Sequence, residues 1–287
     1  MKSVLLLGRG YIGRGLEEYL RLRNVQVDCL SRGMLDYTKP TALQPYLHEN
    51  KNKYDVVINC SGYTGTPNVD GCELNKEDCW FWNVIVPRNI VLCANFFEIP
   101  LIQVNSGCIY NGYDKEYTEE DTPNFGLFSN ESSFYSKTKH ACESIFQNCH
   151  AYSLRIRMPF EGESNKKNYL KKLLNYNTLI SQKNSLTSVY DFYGFILKLL
   201  YVLNTIPAGP INVVNSGSID AKEIVEMLRK KGINNPDWTF IEPNELNTPA
   251  RRSNCVLSTA KIHTLGIQLP PVHESLERDI SKLAISI

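Results

Sequence analysis

The 287-residue sequence predicts an α/β fold, a doubly wound parallel sheet with helices on both faces. Three observations point there. Short leucine-rich and β-branched runs alternate with longer amphipathic stretches through the first half. The runs are apolar throughout, as strands buried on both faces are. The first of them enters a glycine turn that opens a helix.

The strands in that half are expected at 3–7, 25–30, 55–60, 101–105 and 151–156, and the helices at 12–23, 40–49, 76–97 and 133–148. Near Arg157-Met158-Pro159 the rhythm changes. A lysine-rich helix at 168–175, a helix at 188–203, a strand at 211–214 and a helix at 221–230 follow, with proline and asparagine between them. The expected organisation is a dinucleotide-binding domain over 1–157 and a smaller C-terminal α/β lobe over 158–287, with the chain free to cross back. Such a lobe closes over the carboxyl ends of the strands, where open α/β sheets bind ligands.

Composition narrows the function. Hydrophobic residues are 43% and charged residues 21%, ordinary for a globular protein. The net charge is +1 and no basic block interleaves with aromatics, so neither nucleic acid nor an anionic membrane is expected as a partner. Nine cysteines are scattered without a CxxC pair, which fits reduced thiols in the cytoplasm and no metal site. Val4-Leu5-Leu6-Leu7 is too short for a membrane span or a secretory core and reads as a buried strand.

Gly8-Arg9-Gly10-Tyr11-Ile12-Gly13 lies between the first strand and the first helix. GxGxxG there defines a Rossmann-type nucleotide turn, with helix N-terminal amides turned toward a pyrophosphate. The second strand runs into Ser31-Arg32 instead of an acid placed for a ribose diol. A hydroxyl and a guanidinium suit a 2′-phosphate, favouring NADPH over NADH. Cys60-Ser61-Gly62 ends the third strand with small residues, as a cofactor crossing the sheet edge requires.

Ser106 and Cys108, two apart at a strand end, are expected to face one space. Tyr135 and Lys139, four apart on a helix, share a face. The lysine is expected to lower the phenol pKa from its free value of about 10. Tyr135 would then protonate a carbonyl oxygen as hydride reaches carbon, with Ser106 as second donor. A thiol has no place in plain ketone reduction. Cys108 could remove a proton α to the same carbonyl, the Ser/Tyr pair supporting the enolate. The opposing acid must come from the lobe, where Lys166, Lys167, Lys171 and Lys172 are candidates by position.

At these residues the sequence resembles the extended short-chain dehydrogenase/reductases. Within them it is similar to the dTDP-4-dehydrorhamnose reductases, and more closely to the bifunctional nucleotide-rhamnose synthases, the 3,5-epimerase/4-reductases. The resemblance is carried by 62–70 (GYTGTPNVD) with Cys72-Glu73, by Gly107-Cys108-Ile109, by 119–125 (EEDTPNF), by 134–139 (FYSKTK), by 154–159 (LRIRMP) and by Arg252-Ser253-Asn254. It implies conversion of UDP-4-keto-6-deoxy-glucose to UDP-L-rhamnose with NADPH. It implies Tyr135 and Lys139 as the reductase pair, Ser106 in the family's Thr/Ser position, Cys108 as epimerase base and Lys172 as epimerase acid, with Lys171 as rival. Arg252, with Arg251 beside it, matches positions expected at the nucleotide diphosphate, and Thr64, Asn68 and Asn184 are implied to meet the substrate. The turn departs from the family's usual GxxGxxG by one residue. A homodimer is an expectation of the fold.

Two alternatives stand beside this reading: a monofunctional 4-ketosugar reductase, and a nucleotide-sensing regulatory subunit. Retention of Ser106, Tyr135 and Lys139 speaks against the sensor, which needs no proton donor.

Overall fold

Alternation within single strands divides the apolar residues between two layers. In β1 (Ser3–Leu7) all five residues are buried. Val4 and Leu6 enter one hydrophobic cluster and Leu5 and Leu7 the other. A strand faces both ways with period two, so a continuous apolar run needs cover on each side. A computed structural model describes every residue of the chain except 164 and 287.

The chain runs β1, α1 (Tyr11–Arg21), β2 (Gln26–Leu30), α2 (Pro40–Glu49), β3 (Val56–Asn59), α3 (Asp70–Leu74), α4 (Lys76–Trp80), α5 (Val86–Phe96) and β4 (Leu101–Ser106). It continues through β5 (Gly112–Tyr117), α6 (Phe134–Ile145), β6 (Ala151–Ile156), α7 (Tyr169–Asn175), β7 (Thr178–Ile180), α8 (Val189–Val202) and β8 (Gly209–Asn212). Last come α9 (Ala221–Lys230), β9 (Thr239–Ile241), β10 (Cys255–Leu257), α10 (Ala260–Thr264) and α11 (Val272–Ser286). The main sheet has the order β2-β1-β3-β4-β6-β8, parallel throughout. Two small parallel pairs, β5 with β10 and β7 with β9, stand outside it.

One layer over the sheet draws on α1 and α8, the other on α2, α5 and α6. A third cluster gathers Leu170 and Leu173 of α7, Ile224 and Leu228 of α9, and Leu276 and Ile280 of α11. The chain does cross back. The helix and strand expected at 188–203 and 211–214 cover and extend the main sheet as α8 and β8, the strand lying at 209–212. Their apolar residues Phe192, Ile196 and Ile211 match that face.

The single helix expected over 76–97 is interrupted by a π turn at Phe81–Ile85. Pro87 follows and has no N–H for the carbonyl of Asn83, four residues back. A wider turn there accommodates the missing bond. It also aims buried Asn83 at the loop after β3, where its side chain accepts from Tyr63 N at 2.9 Å and donates to Tyr63 O at 2.8 Å.

Candidate active site

The glycine turn is built as a cradle. Gly8 has φ +93°, and a Cβ on it would come within 2.6 Å of Ser61 N. A Cβ on Gly13 would fall 2.0 Å from the Gly8 carbonyl oxygen, whereas one on Gly10 would meet nothing. Gly10 is the N-cap of α1, and neither a side-chain cap nor an acid occupies that first turn. The amides of Tyr11, Ile12 and Gly13 therefore open toward an anion, and the residues present fit a dinucleotide. The Tyr11 side chain turns elsewhere, its phenol pKa pushed up by burial and by Glu161. Its backbone serves the turn.

Ser31 and Arg32 follow β2, with the Arg32 guanidinium 5.4 Å from the centre of the Trp82 ring. Ser61 donates to Asn59 Oδ1 at 2.6 Å. Gly62 lies over α6, where a Cβ would stand 3.6 Å from Lys139 Nζ and 3.3 Å from Asn83 Oδ1. A cavity of about 970 Å³ flanks this turn between α1 and α8, reaching Gly10, Arg14, Glu161 and Tyr193. None of Ser106, Cys108, Tyr135 and Lys139 lines it.

Those four meet at the carboxyl end of β4. Ser133 caps α6 by accepting from Ser136 N at 3.2 Å, and Glu73 accepts from Phe134 N at 2.6 Å. That start presents Tyr135 and Lys139, both buried, to Ser106. Ser106 Oγ accepts from Cys108 N at 3.2 Å, and the Ser106 hydroxyl favours the ionised form of the Tyr135 phenol. Lys139 Nζ is 5.6 Å from the centre of the Tyr135 ring.

The expected depression of the phenol pKa is corrected here. Burial pushes the Tyr135 pKa well above its ordinary value, Cys108 adds to the rise, and the Ser106 hydroxyl opposes it. Burial likewise lowers the Lys139 pKa, weakening the cation that was to act on the phenol. Both shifts favour the neutral forms of the two groups.

Cys108 is half-buried beside this pair and accepts from Arg157 Nη1 at 3.6 Å. From α7, Lys172 faces the same space. Burial first, then Lys167 and Arg252, lower its pKa, and Cys108 pulls the other way. Arg252 is held bidentately by Asp70, with Nη1 to Oδ1 at 2.9 Å and Nη2 to Oδ2 at 2.7 Å. Arg251 pairs with Glu131 at 2.8 Å on the surface. Asn68 donates to the Tyr176 hydroxyl at 3.3 Å and caps Asp70 N, and Thr64 is half-buried nearby on the loop after β3.

Asn184 is bonded within the protein. Its Oδ1 accepts from Arg157 Nη2 and from Cys255 N, and its Nδ2 donates to Gln182 O and Asn254 Oδ1. The amide is buried and these bonds are all internal. Sequence reasoning missed Asn83 and Arg157. A polar residue inside an apolar helix and the second arginine of LRIRMP were the available signals. EEDTPNF is structural: Glu119 accepts from Asn212 N at 2.7 Å and ties the segment to β8.

The model of the RmlD substrate binding domain family matches residues 1–196. The chain belongs to this family. It is 31% identical over 234 residues to the bifunctional dTDP-4-dehydrorhamnose 3,5-epimerase/dTDP-4-dehydrorhamnose reductase of Arabidopsis thaliana, covering 77% of this chain and 74% of the relative. Against a trifunctional dehydratase/epimerase/reductase of the same plant it spans 33% of the relative's length. Among solved structures, a UDP-rhamnose synthase from Acanthamoeba polyphaga mimivirus superposes with a TM-score of 0.86 at 25% identity, over 98% of this chain and 99% of that one. A dTDP-4-dehydrorhamnose reductase from Bacillus anthracis, solved in complex with NADP, shares the fold at a TM-score of 0.81 and 21% identity over the whole of both chains.

Proposed function

We propose that the chain converts UDP-4-keto-6-deoxy-D-glucose to UDP-L-rhamnose by 3,5-epimerisation followed by NADPH-dependent reduction at C4. The observation that carries this reading is the placing of Cys108 beside Ser106 and the Tyr135 ring at the end of β4. Cys108, as thiolate, takes a proton from C5 and then C3, and the electron pair of each C–H bond moves toward the C4 oxygen. Ser106 and the neutral Tyr135 phenol support that oxyanion by hydrogen bonds. Lys172 returns a proton to the opposite face, and the thiol proton leaves to solvent. The amides of 11–13 with Ser31, Arg32 and Lys139 would hold NADPH, which would supply the hydride for C4. Tyr135 then gives its proton to the C4 oxygen.

Substrate incubated in heavy water without NADPH, presented on both UDP and dTDP, tests the reading. Wild type is expected to incorporate deuterium at C3 and C5. Cys108→Ala keeps NADPH binding and loses incorporation by about 10²-fold or more. Absence of deuterium with wild type, and rhamnose only after addition of a separate epimerase, would make the chain a monofunctional reductase. Absence of any NADPH turnover would leave a nucleotide-binding regulatory subunit.

The reading includes residues 158–287 as the substrate lobe, less the stretch that crosses back to the sheet. It also includes a cytoplasmic setting and a homodimer packed through the long helices, which light scattering checks. All nine cysteines are unpaired thiols, and no helix among the described residues is long and apolar enough to cross a membrane.

A further inference from the structure

Arg157, immediately after β6, is a fully buried guanidinium without a counter-anion. Its Nη1 donates to Ser253 Oγ at 2.7 Å, to the Gly107 carbonyl at 3.4 Å and to Cys108 Sγ at 3.6 Å. Its Nη2 donates to Asn184 Oδ1 and to the Ser253 carbonyl at 3.0 Å, and its Nε has no partner. Every oxygen in this set is neutral, and among the described residues no carboxylate pairs with it. Burying a cation so is costly unless a negative charge forms beside it. The ionisable groups around it are Cys108, Cys255, Tyr113 and Tyr169. Cys255, Tyr113 and Tyr169 have pKa values raised by burial, and of the two thiols only Cys108 is not buried.

We propose that Arg157 is the counter-charge that holds Cys108 as a thiolate, and so the positioning residue of the epimerisation half of the reaction. This rests on the function proposed above. The sulfur faces Tyr135 and Lys139 of α6, Lys172 of α7, Cys255 of β10, and Cys72 and Cys79 of α3 and α4. Both lysines are drawn toward neutrality by burial, whereas a guanidinium stays charged at any working pH. Gly107 admits it: a Cβ there would stand 3.2 Å from Arg157 Cγ and Cδ. Asn184, Ser253 and Gly107 aim the fork while leaving its charge unneutralised.

The test is the pH profile of Cys108 alkylation by iodoacetamide, resolved by peptide, on the full chain. Arg157→Met deletes the charge. Asn184→Asp leaves the guanidinium in place and pairs it with a carboxylate at Nη2. In both, alkylation at pH 7 is expected to slow about tenfold or more while the alkaline plateau matches wild type. Arg157→Lys restores part of the neutral rate. A purely structural role would weaken the fold without moving the midpoint. If Arg157→Met does not fold, Asn184→Asp decides. A wild-type midpoint in Asn184→Asp, and in Arg157→Met where it folds, overturns the proposal. Deuterium uptake at C3 and C5 should fall at pH 7 in step and recover at higher pH. Because alkylation needs no substrate, a shifted midpoint with no wild-type deuterium uptake would refute the epimerase reading and leave the pairing standing.

Discussion

Changing Glu143 to glutamine is expected to destabilise the protein by about 3–5 kcal/mol, through the charge it leaves behind. Glu143 lies on α6 about two turns beyond Tyr135 and takes a fork from Arg155 of β6. Arg155 Nε reaches both carboxylate oxygens at 3.0 Å and Nη2 reaches Oε2 at 2.6 Å. Ser153 Oγ, at 2.7 Å, and Asn105 Nδ2, at 3.4 Å, donate to the same carboxylate. The Arg155 side chain is 3% exposed and that of Glu143 10%, so water cannot replace the lost charge. Glutamine keeps the size but offers one acceptor oxygen, and its amide nitrogen turns a donor on donors. At about 2 °C per kcal/mol for a chain of this length, the melting temperature should fall by about 6–10 °C.

Thermal and urea unfolding, followed by tryptophan fluorescence at a fixed NADPH concentration, reads the loss. The double variant Glu143→Met with Arg155→Met is the control. Removing both charges removes the desolvation cost as well, so most of the stability should return. A Glu143→Gln protein melting within about 1 °C of wild type would refute the buried-charge reasoning. A double variant as unstable as the single would show that the loss comes from packing.

Gly107→Ala sets a new methyl 2.5 Å from Leu257 Cδ1 in a buried cluster, so overpacking of about 1–3 kcal/mol is expected, read as a lower urea midpoint. An unchanged midpoint would mean that Leu257 and Arg157 yield freely. Glu161 gives a pH dependence. Burial, then Glu163, raises its pKa from 4.5 to about 7, so the folded protein binds more protons than the unfolded one in that interval. Stability should fall as pH rises through it. Glu161→Gln should therefore gain on wild type in urea at pH 8 relative to pH 5, and parallel midpoints at the two pH values would contradict the assignment.

Where the sequence was legible, the signal was local and strong. The strands at 3–7 and 151–156 and the helices at 40–49 and 221–230 lie where periodicity places them. The glycine turn and the coming together of Ser106, Tyr135 and Lys139 were readable because residues at fixed spacing on a strand end and a helix share a face. β5 was not, because GYDKEY is polar and exposed and its partner β10 lies more than a hundred residues on. Nor does an amphipathic pattern say which layer it will cover, which is why α8 and β8 were placed in the lobe. Asn184 shows the same limit at the site: position was implied, but Arg157 decides where its amide points. Spacing likewise brought Lys139 near the phenol, while burial, invisible in one dimension, decided the sign of the pKa shift.

That sign bears on how one pocket can serve two steps. Reduction needs a proton held on Tyr135 until hydride arrives, and epimerisation needs a proton absent from Cys108 before it can begin. The two groups are neighbours, so a general positive field would ionise both and a general burial would protonate both. On the proposed reading the fold separates them by the side from which charge is delivered. Tyr135 is enclosed with a lysine weakened by its own burial, and its phenol stays neutral. Cys108 alone of the pair receives a hydrogen bond from the permanently charged Arg157, fixed by neutral acceptors. On the proposed reading, opposite protonation states coexist because the arginine's bond is directional and reaches sulfur without reaching the phenol.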